Sequence, residues 1–342
     1  MHRLKTLVAI MWCSVIFGLS GCSGDKVTLP EVTPLNASPE ALASLYKAET
    51  GSLTVVAQTN VHLSLDDREL DLSIFYPDAE GPFPILLFSH GNWSTKDKYN
   101  PVIEHWVSHG YVVLAPNHLD CCGMVNGIWN SIRYGQIGLI EERIRDFSSL
   151  LDHLPQIEDS VDGLAGKMDA SRIAATGHSF GAFTAQQFGG AGTFNPDTEE
   201  YVYFTDKRIK AMVAISPPGP MFDVINEGSW INLQGPMMLT TGTWDANVQF
   251  WPDWRAHKLS FDTAQPGQNY ALITQGADHY LGNLICRPER EQPPQYDALK
   301  MLNSATTAFL DAYVKNNSEA LAFIDSDILQ QETNNFSRLQ QR

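Results

Sequence analysis

Residues 83–91, Phe-Pro-Ile-Leu-Leu-Phe-Ser-His-Gly, form a nearly unbroken apolar run that closes on a small polar triplet. A strand wet on one face alternates apolar and polar side chains, whereas a run without alternation suits a strand covered on both faces. Short apolar strands follow at 111–116, 172–176, 209–216, 237–242 and 270–274, and two more, at 53–58 and 70–76, come before, with a Pro/Gly-rich turn at 77–82. Between the later strands lie helical segments at 101–109, 141–154, 180–188 and 298–314. In the second of these, Ile144, Phe147, Leu150, Leu151 and Leu154 share one face. Strands that alternate with helices predict an α/β fold, a mostly parallel sheet with helices on both faces. The functional site of such a sheet belongs at the carboxyl ends of its strands.

Several of those ends carry reactive side chains. Gly177-His178-Ser179-Phe180-Gly181 stands between a strand and a helix. A chain that turns so abruptly forces Ser179 into a strained conformation and leaves no room for side chains at Gly177 and Gly181. The serine is thereby lifted to the tip of an elbow, with the amide of Phe180 beneath it. A hydroxyl is a poor nucleophile until a base takes its proton, so a histidine and an orienting carboxylate are required elsewhere. Asp245 follows the strand 237–242, and His279 follows the strand 270–274, in the order this architecture needs. Asp223 and Asp253 lie farther from their strand ends, and Asp278 is expected to cap a helix or order its loop. The loop His90-Gly91-Asn92 offers the amide of Asn92 as a second donor to an oxyanion. His178 is read as packing, His90 as shaping its loop, and His118 as lining the cleft. Trp93, Trp129 and Trp244, with Trp251 and Trp254, fall on or near loops at the mouth, where aromatic walls would suit acyl chains or aryl esters.

With these loops placed, the domain resembles the α/β-hydrolase serine esterases, without a large lid insertion. Within them, FSHGNW, SHGYVVLAPNH, SRIAATGHSFGAF and TGTWD resemble the group of plasma-type platelet-activating-factor acetylhydrolases, dienelactone-hydrolase-like proteins, chlorophyllases and cutinase-like polyester hydrolases. The resemblance implies Ser179 as nucleophile, His279 as base, Asp245 as its partner and the amides of Asn92 and Phe180 as oxyanion hole. True dienelactone hydrolases use cysteine, which Ser179 replaces here. The expected activity is hydrolysis of short to medium acyl or aromatic esters through an acyl-enzyme, with no cofactor and no metal. The same residues would serve a thioesterase, amidase or peptidase, and the scaffold alone would serve a ligand-binding lipoprotein.

The first 21 residues carry Arg3 and Lys5, then an apolar core from Leu7 to Leu19 that is too short to span a bilayer and fits a signal peptide. Leu19-Ser20-Gly21-Cys22 resembles the lipobox of bacterial lipoproteins, which implies a lipid anchor on Cys22 and, with Ser23 following, the outer membrane. Residues 22–50 are expected to be a tether, 51–320 the catalytic domain and 321–342 a C-terminal tail. A formal charge of −16 disfavours nucleic acid as a partner. Of Cys121, Cys122 and Cys286, one disulfide is expected, with Cys286 paired to one of the adjacent two.

Overall fold

The computed structural model describes residues 27–65 and 67–342. Its centre is a nine-stranded sheet in which β3 (Phe83–Ser89), β4 (Val112–Pro116), β5 (Met168–His178), β8 (Ile209–Ile215), β9 (Met237–Gly242) and β10 (Asn269–Thr274) run parallel. On one side β2 (Arg68–Pro77) pairs antiparallel with β4 and then with β1 (Val55–Leu65). On the other, β11 (Ser337–Gln341) pairs antiparallel with β10. The non-alternating run in β3 has the cause that the sequence suggests. Leu86 and Phe88 pack into one core with Trp106 and Phe309, while Ile85 and Leu87 pack into another with Phe147 and Leu150.

Helices α2 (Asn100–Ser108) and α7 (Tyr296–Val314) cover the first face. The second carries α3 (Met124–Asp152) and α5 (Phe180–Gln187). The remaining helices in chain order are α1 (Pro39–Ala43), α4 (Leu154–Ser160), α6 (Leu259–Thr263), α8 (Ser318–Ile324) and α9 (Ile328–Glu332). Helix α3 begins well before residue 141. Gly135, at φ 69°, kinks it, and the half before the kink leaves Val125 and Trp129 exposed, so no inward apolar stripe marks it in the sequence. A separate hairpin, β6 (Gly189–Asn195) with β7 (Glu200–Thr205), is inserted between α5 and β8.

Three expectations need correction. The segment 321–342 is not a tail: α8 and α9 lead into β11, whose polar residues close the edge of the sheet and were illegible because an edge strand needs no apolar face. The described part of the expected tether, residues 27–50, lies against the domain. Leu45 and Ala48 are buried, Thr33 donates its amide to Gln275, and Trp244 donates its indole N–H to the carbonyl of Pro30 at 2.9 Å. Finally, Cys121 and Cys122 are bonded to each other, and Cys286 is a buried free thiol. Its sulfur packs beside Gly91 and its carbonyl accepts from Ser94, so the core side of the β3 loop claims it. The signal segment 1–21 and Cys22 lie outside the described residues.

Candidate active site

The elbow is made by close approach of backbones. A β-carbon on Gly181 would stand 2.0 Å from the carbonyl oxygen of Ser89, and one on Gly177 would stand 2.3 Å from that of Gly181. Ser179 is held at φ 54°, ψ −122°, a left-handed conformation costly for any residue but glycine, and its amide donates to the Ile215 carbonyl at 2.9 Å. Backbone geometry of this kind puts the hydroxyl at the helix start and brings the β3 loop alongside.

Over it the structure brings together three side chains from distant strands. His279 Nε2 is 2.9 Å from Ser179 Oγ, and His279 Nδ1 is 2.8 Å from Asp245 Oδ1. The carboxylate can only accept, so Nδ1 carries the proton and Nε2 presents a lone pair to the hydroxyl. Burial holds the His279 imidazole below its ordinary value, against the pull of Asp245. Burial also opposes ionisation of Asp245, yet the imidazoles of His257 and His279 hold its carboxyl well below the usual range. Thr241 Oγ1 donates to its other oxygen at 3.1 Å.

His257 carried no signal in the sequence. It sits in the 3₁₀ turn Trp254–Lys258 and is fully buried, with Nε2 3.0 Å from Asp245 Oδ1 and Nδ1 2.6 Å from the Pro217 carbonyl. The Nε2 contact is too bent to count as an aligned hydrogen bond, so it acts through charge. Ligand-type atoms of Asp245, His257 and His279 fall within 4.8 Å of one another, which a cation could bridge. The hydrogen bond from His279 and the attraction between His257 and the carboxylate account for the same closeness. Trp251 packs over both imidazoles, its ring centroid 4.8 Å from His257 and 5.9 Å from His279.

Behind the serine, His178 is more than packing. Its Nε2 donates to the His279 carbonyl at 2.8 Å, and Tyr99 links its Nδ1 to the amide of Gly91. Asp278 orders its loop by accepting from the amides of Tyr280 and Gly282. Asp253 caps the 3₁₀ turn and stays exposed.

The loop that carries Asn92 rests on a buried polar cluster. Arg143, from α3, donates to both oxygens of Asp120, to Ser89 Oγ at 2.9 Å and to the His90 carbonyl at 2.7 Å. Its guanidinium also lies 4.7 Å from the ring of Phe180. One cation therefore contacts both segments that would supply oxyanion donors. Burial would raise the carboxyl of Asp120, but Arg143 draws it down to about 2. His90 donates from Nδ1 to the Gly91 carbonyl and accepts the His118 amide at Nε2, fixing a neutral ring.

His118 does not line the cleft. It is 2% exposed, with Nε2 2.8 Å from Ser89 Oγ and Nδ1 2.8 Å from Asp146 Oδ2. This second serine–histidine–aspartate array is sealed, since Ser89 is 0% exposed and also accepts from Arg143. Arg143 and Asp146 reach it from α3, a contact far apart in sequence. Trp93 is half-buried and packs its indole against Gly127 of α3, and Trp244 spends its N–H on the N-terminal segment. Trp129 is 64% exposed on α3.

A mostly parallel sheet with antiparallel β2, a serine elbow after β5, and the acid and histidine after β9 and β10 define an α/β-hydrolase fold. A family model described as chlorophyllase matches residues 46–191. The platelet-activating factor acetylhydrolase of Cavia porcellus is 21% identical over 311 residues, 80% of this chain and 64% of its own length. Cutinase est2 of Thermobifida alba is 22% identical over 253 residues, 73% of this chain and 70% of its own. Cutinase est1 of the same organism is 25% identical over 148 residues, 43% of this chain and 44% of its own. The chain thus spans less than two thirds of the acetylhydrolase and under half of cutinase est1. These likenesses place its resemblance in the α/β-hydrolase esterase group.

Proposed function

We propose that this chain is a serine hydrolase of carboxylic esters, tethered to a bacterial outer membrane by a lipid on Cys22. The reading rests on one observation above others, the unbroken line Ser179 Oγ, His279, Asp245 with spacings of 2.9 and 2.8 Å. As Ser179 Oγ attacks the ester carbonyl, its proton passes to His279 Nε2, and the imidazolium is stabilised by Asp245. The amides of Asn92 and Phe180 stabilise the oxyanion. His279 then protonates the departing alcohol, leaving Ser179 acylated. Water, deprotonated by the same imidazole, releases the acid and restores the hydroxyl.

The exposed apolar residues near this site favour an apolar substrate. Met124, Val125, Ile128, Trp129 and Ile132 share one exposed face of α3, and Val248 and Phe250 stand exposed in the loop after Asp245. Short to medium acyl or aromatic esters, small or polymeric, fit such a rim. The names of the acetylhydrolase and cutinase relatives agree with an ester bond as the target. The test is pre-steady-state hydrolysis of p-nitrophenyl esters. A burst of nitrophenol followed by slower turnover is expected, together with labelling of Ser179 by a fluorophosphonate. Both should vanish in Ser179→Ala, and turnover preserved in that variant would reject the proposal.

A further inference from the structure

The position of His257 requires a charge that the three-residue relay does not explain. Its Nδ1 lies 2.6 Å from the Pro217 carbonyl, which can only accept, so Nδ1 bears a proton. Its Nε2 lies 3.0 Å from Asp245 Oδ1, where both side chains are buried. A neutral ring would set the electron-rich edge at Nε2 only 3.0 Å from a carboxylate oxygen, inside the protein, where the repulsion is little screened. A proton on both nitrogens removes that repulsion and turns it into attraction.

We infer that His257 is a positioning residue for this hydrolase: an imidazolium that donates from Nδ1 to the Pro217 carbonyl, holds Asp245 against His279 through the charge at Nε2, and offsets part of the carboxylate's charge. Two imidazoles then compete for one oxygen. His279 Nδ1 and His257 Nε2 both face Oδ1, at 2.8 and 3.0 Å, and their ring centroids are 5.5 Å apart. A cation so near makes a second positive charge on His279 less favourable, which keeps the base free of a proton in more acidic solution than Asp245 alone would allow. Burial disfavours the charged form of His257, but the field and hydrogen bonding of Asp245 and the Pro217 carbonyl overcome it and raise its pKa.

The groups that face this ring are few and identifiable. Asp245 approaches from the β9 loop, His279 from the β10 loop, with neutral His178 behind His279 at 4.8 Å between centroids. Trp251 covers the ring without charge. On its own turn, Arg255 pairs with Asp253 and Lys258 pairs with Asp262.

The inference rests on His279 as the base, and its test has one arm that does not need activity. In wild-type protein labelled with ¹⁵N-histidine, the signal lost in His257→Gln identifies His257. At about pH 7.5 its two ring nitrogens should show the shifts of an imidazolium, while those of His279 report a neutral ring. In the second arm, kcat/KM is followed against pH for wild type and His257→Gln, with fluorophosphonate labelling of Ser179 as the check on folding. The variant's acid limb should move to higher pH, so that at a fixed pH on that limb activity falls about tenfold while the plateau stays within a few-fold. A neutral His257 in the wild-type spectrum would overturn the inference. So would an unmoved acid limb with activity lowered equally at every pH, which is the signature of a packing defect. Absence of any ester turnover in wild type would instead count against the proposed reaction and leave the spectral arm standing.

Discussion

Replacing Arg143 by methionine tests how the loop that carries Asn92 is held. The substitution keeps most of the side-chain volume but removes the only cation bonded to Asp120 among the described contacts, and with it the donors to Ser89 Oγ and the His90 carbonyl. Asp120 is 0% exposed, so its carboxylate is left in the interior with no cation and only the long contact from the Trp93 amide, at 3.5 Å. Removal of one partner from a buried ion pair costs about 3–5 kcal/mol, a large part of the roughly 5–15 kcal/mol that holds a domain together. At about 2 °C per kcal/mol for a chain of this size, Tm should fall by roughly 6–10 °C. Asn92 would lose its support at the same time, and a donor misplaced by about 1 Å costs on the order of a hundredfold in kcat. The double variant Asp120→Asn/Arg143→Met separates the two effects. With the stranded charge gone, most of the Tm should return, while kcat stays low because nothing restores the bonds to Ser89 and His90. Calorimetry and p-nitrophenyl ester kinetics on the three proteins provide the check. A single variant within about 2 °C and threefold of wild type would refute the assignment of Arg143 as the brace of this loop.

Two further outcomes follow from the geometry. Gly181→Ala places a methyl 2.0 Å from the Ser89 carbonyl oxygen, and return to ordinary contact at 3.4 Å needs the elbow and β3 to part by about 1.4 Å. A stability loss of about 1–3 kcal/mol with at least a tenfold fall in kcat is expected, and wild-type kinetics would contradict the close approach. Burial draws His105 and His178 down to about 4, so both are neutral when folded and charge more readily once unfolded. Their contribution, roughly 3 kcal/mol each at most, is complete above the ordinary value near 6.5 and is lost as pH falls towards 4. His257 has the opposite sign, its raised pKa adding stability that fades as pH climbs through its folded value. The urea midpoint should therefore drop clearly between pH 7 and pH 4.5, and an unchanged midpoint would show that these rings are not buried neutral.

The sheet was legible because each inner strand is covered on both faces, and two-sided burial writes itself as an unbroken apolar run. Ser179, Asp245 and His279 could be picked out from ten histidines and many acids because each lies in the loop or turn that follows such a run, where parallel sheets gather their reactive groups. His257 could not, since it lies in a short 3₁₀ turn whose position is fixed only by the fold around Pro217 and Asp245. The same holds for His118. Its neighbours in sequence suggest a loop at the cleft, yet Asp146 and Arg143 from a helix more than twenty residues on fix the network that draws it inward. The disulfide joins adjacent residues, a pairing that spacing rules discount, and β11 is polar because an edge strand can be.

A chain shortened to the sequence-derived boundary would lose Leu45 and Ala48 from the core, Lys47 from Asp311 and Val32 from its seat on Gly276. It would also strip the Pro30 carbonyl from Trp244, the residue next to Asp245. Whatever pulls on the leading end of this protein is thus coupled, through one indole, to the loop that holds Asp245 against His279, and a shortened chain should keep Pro30 and all that follows it.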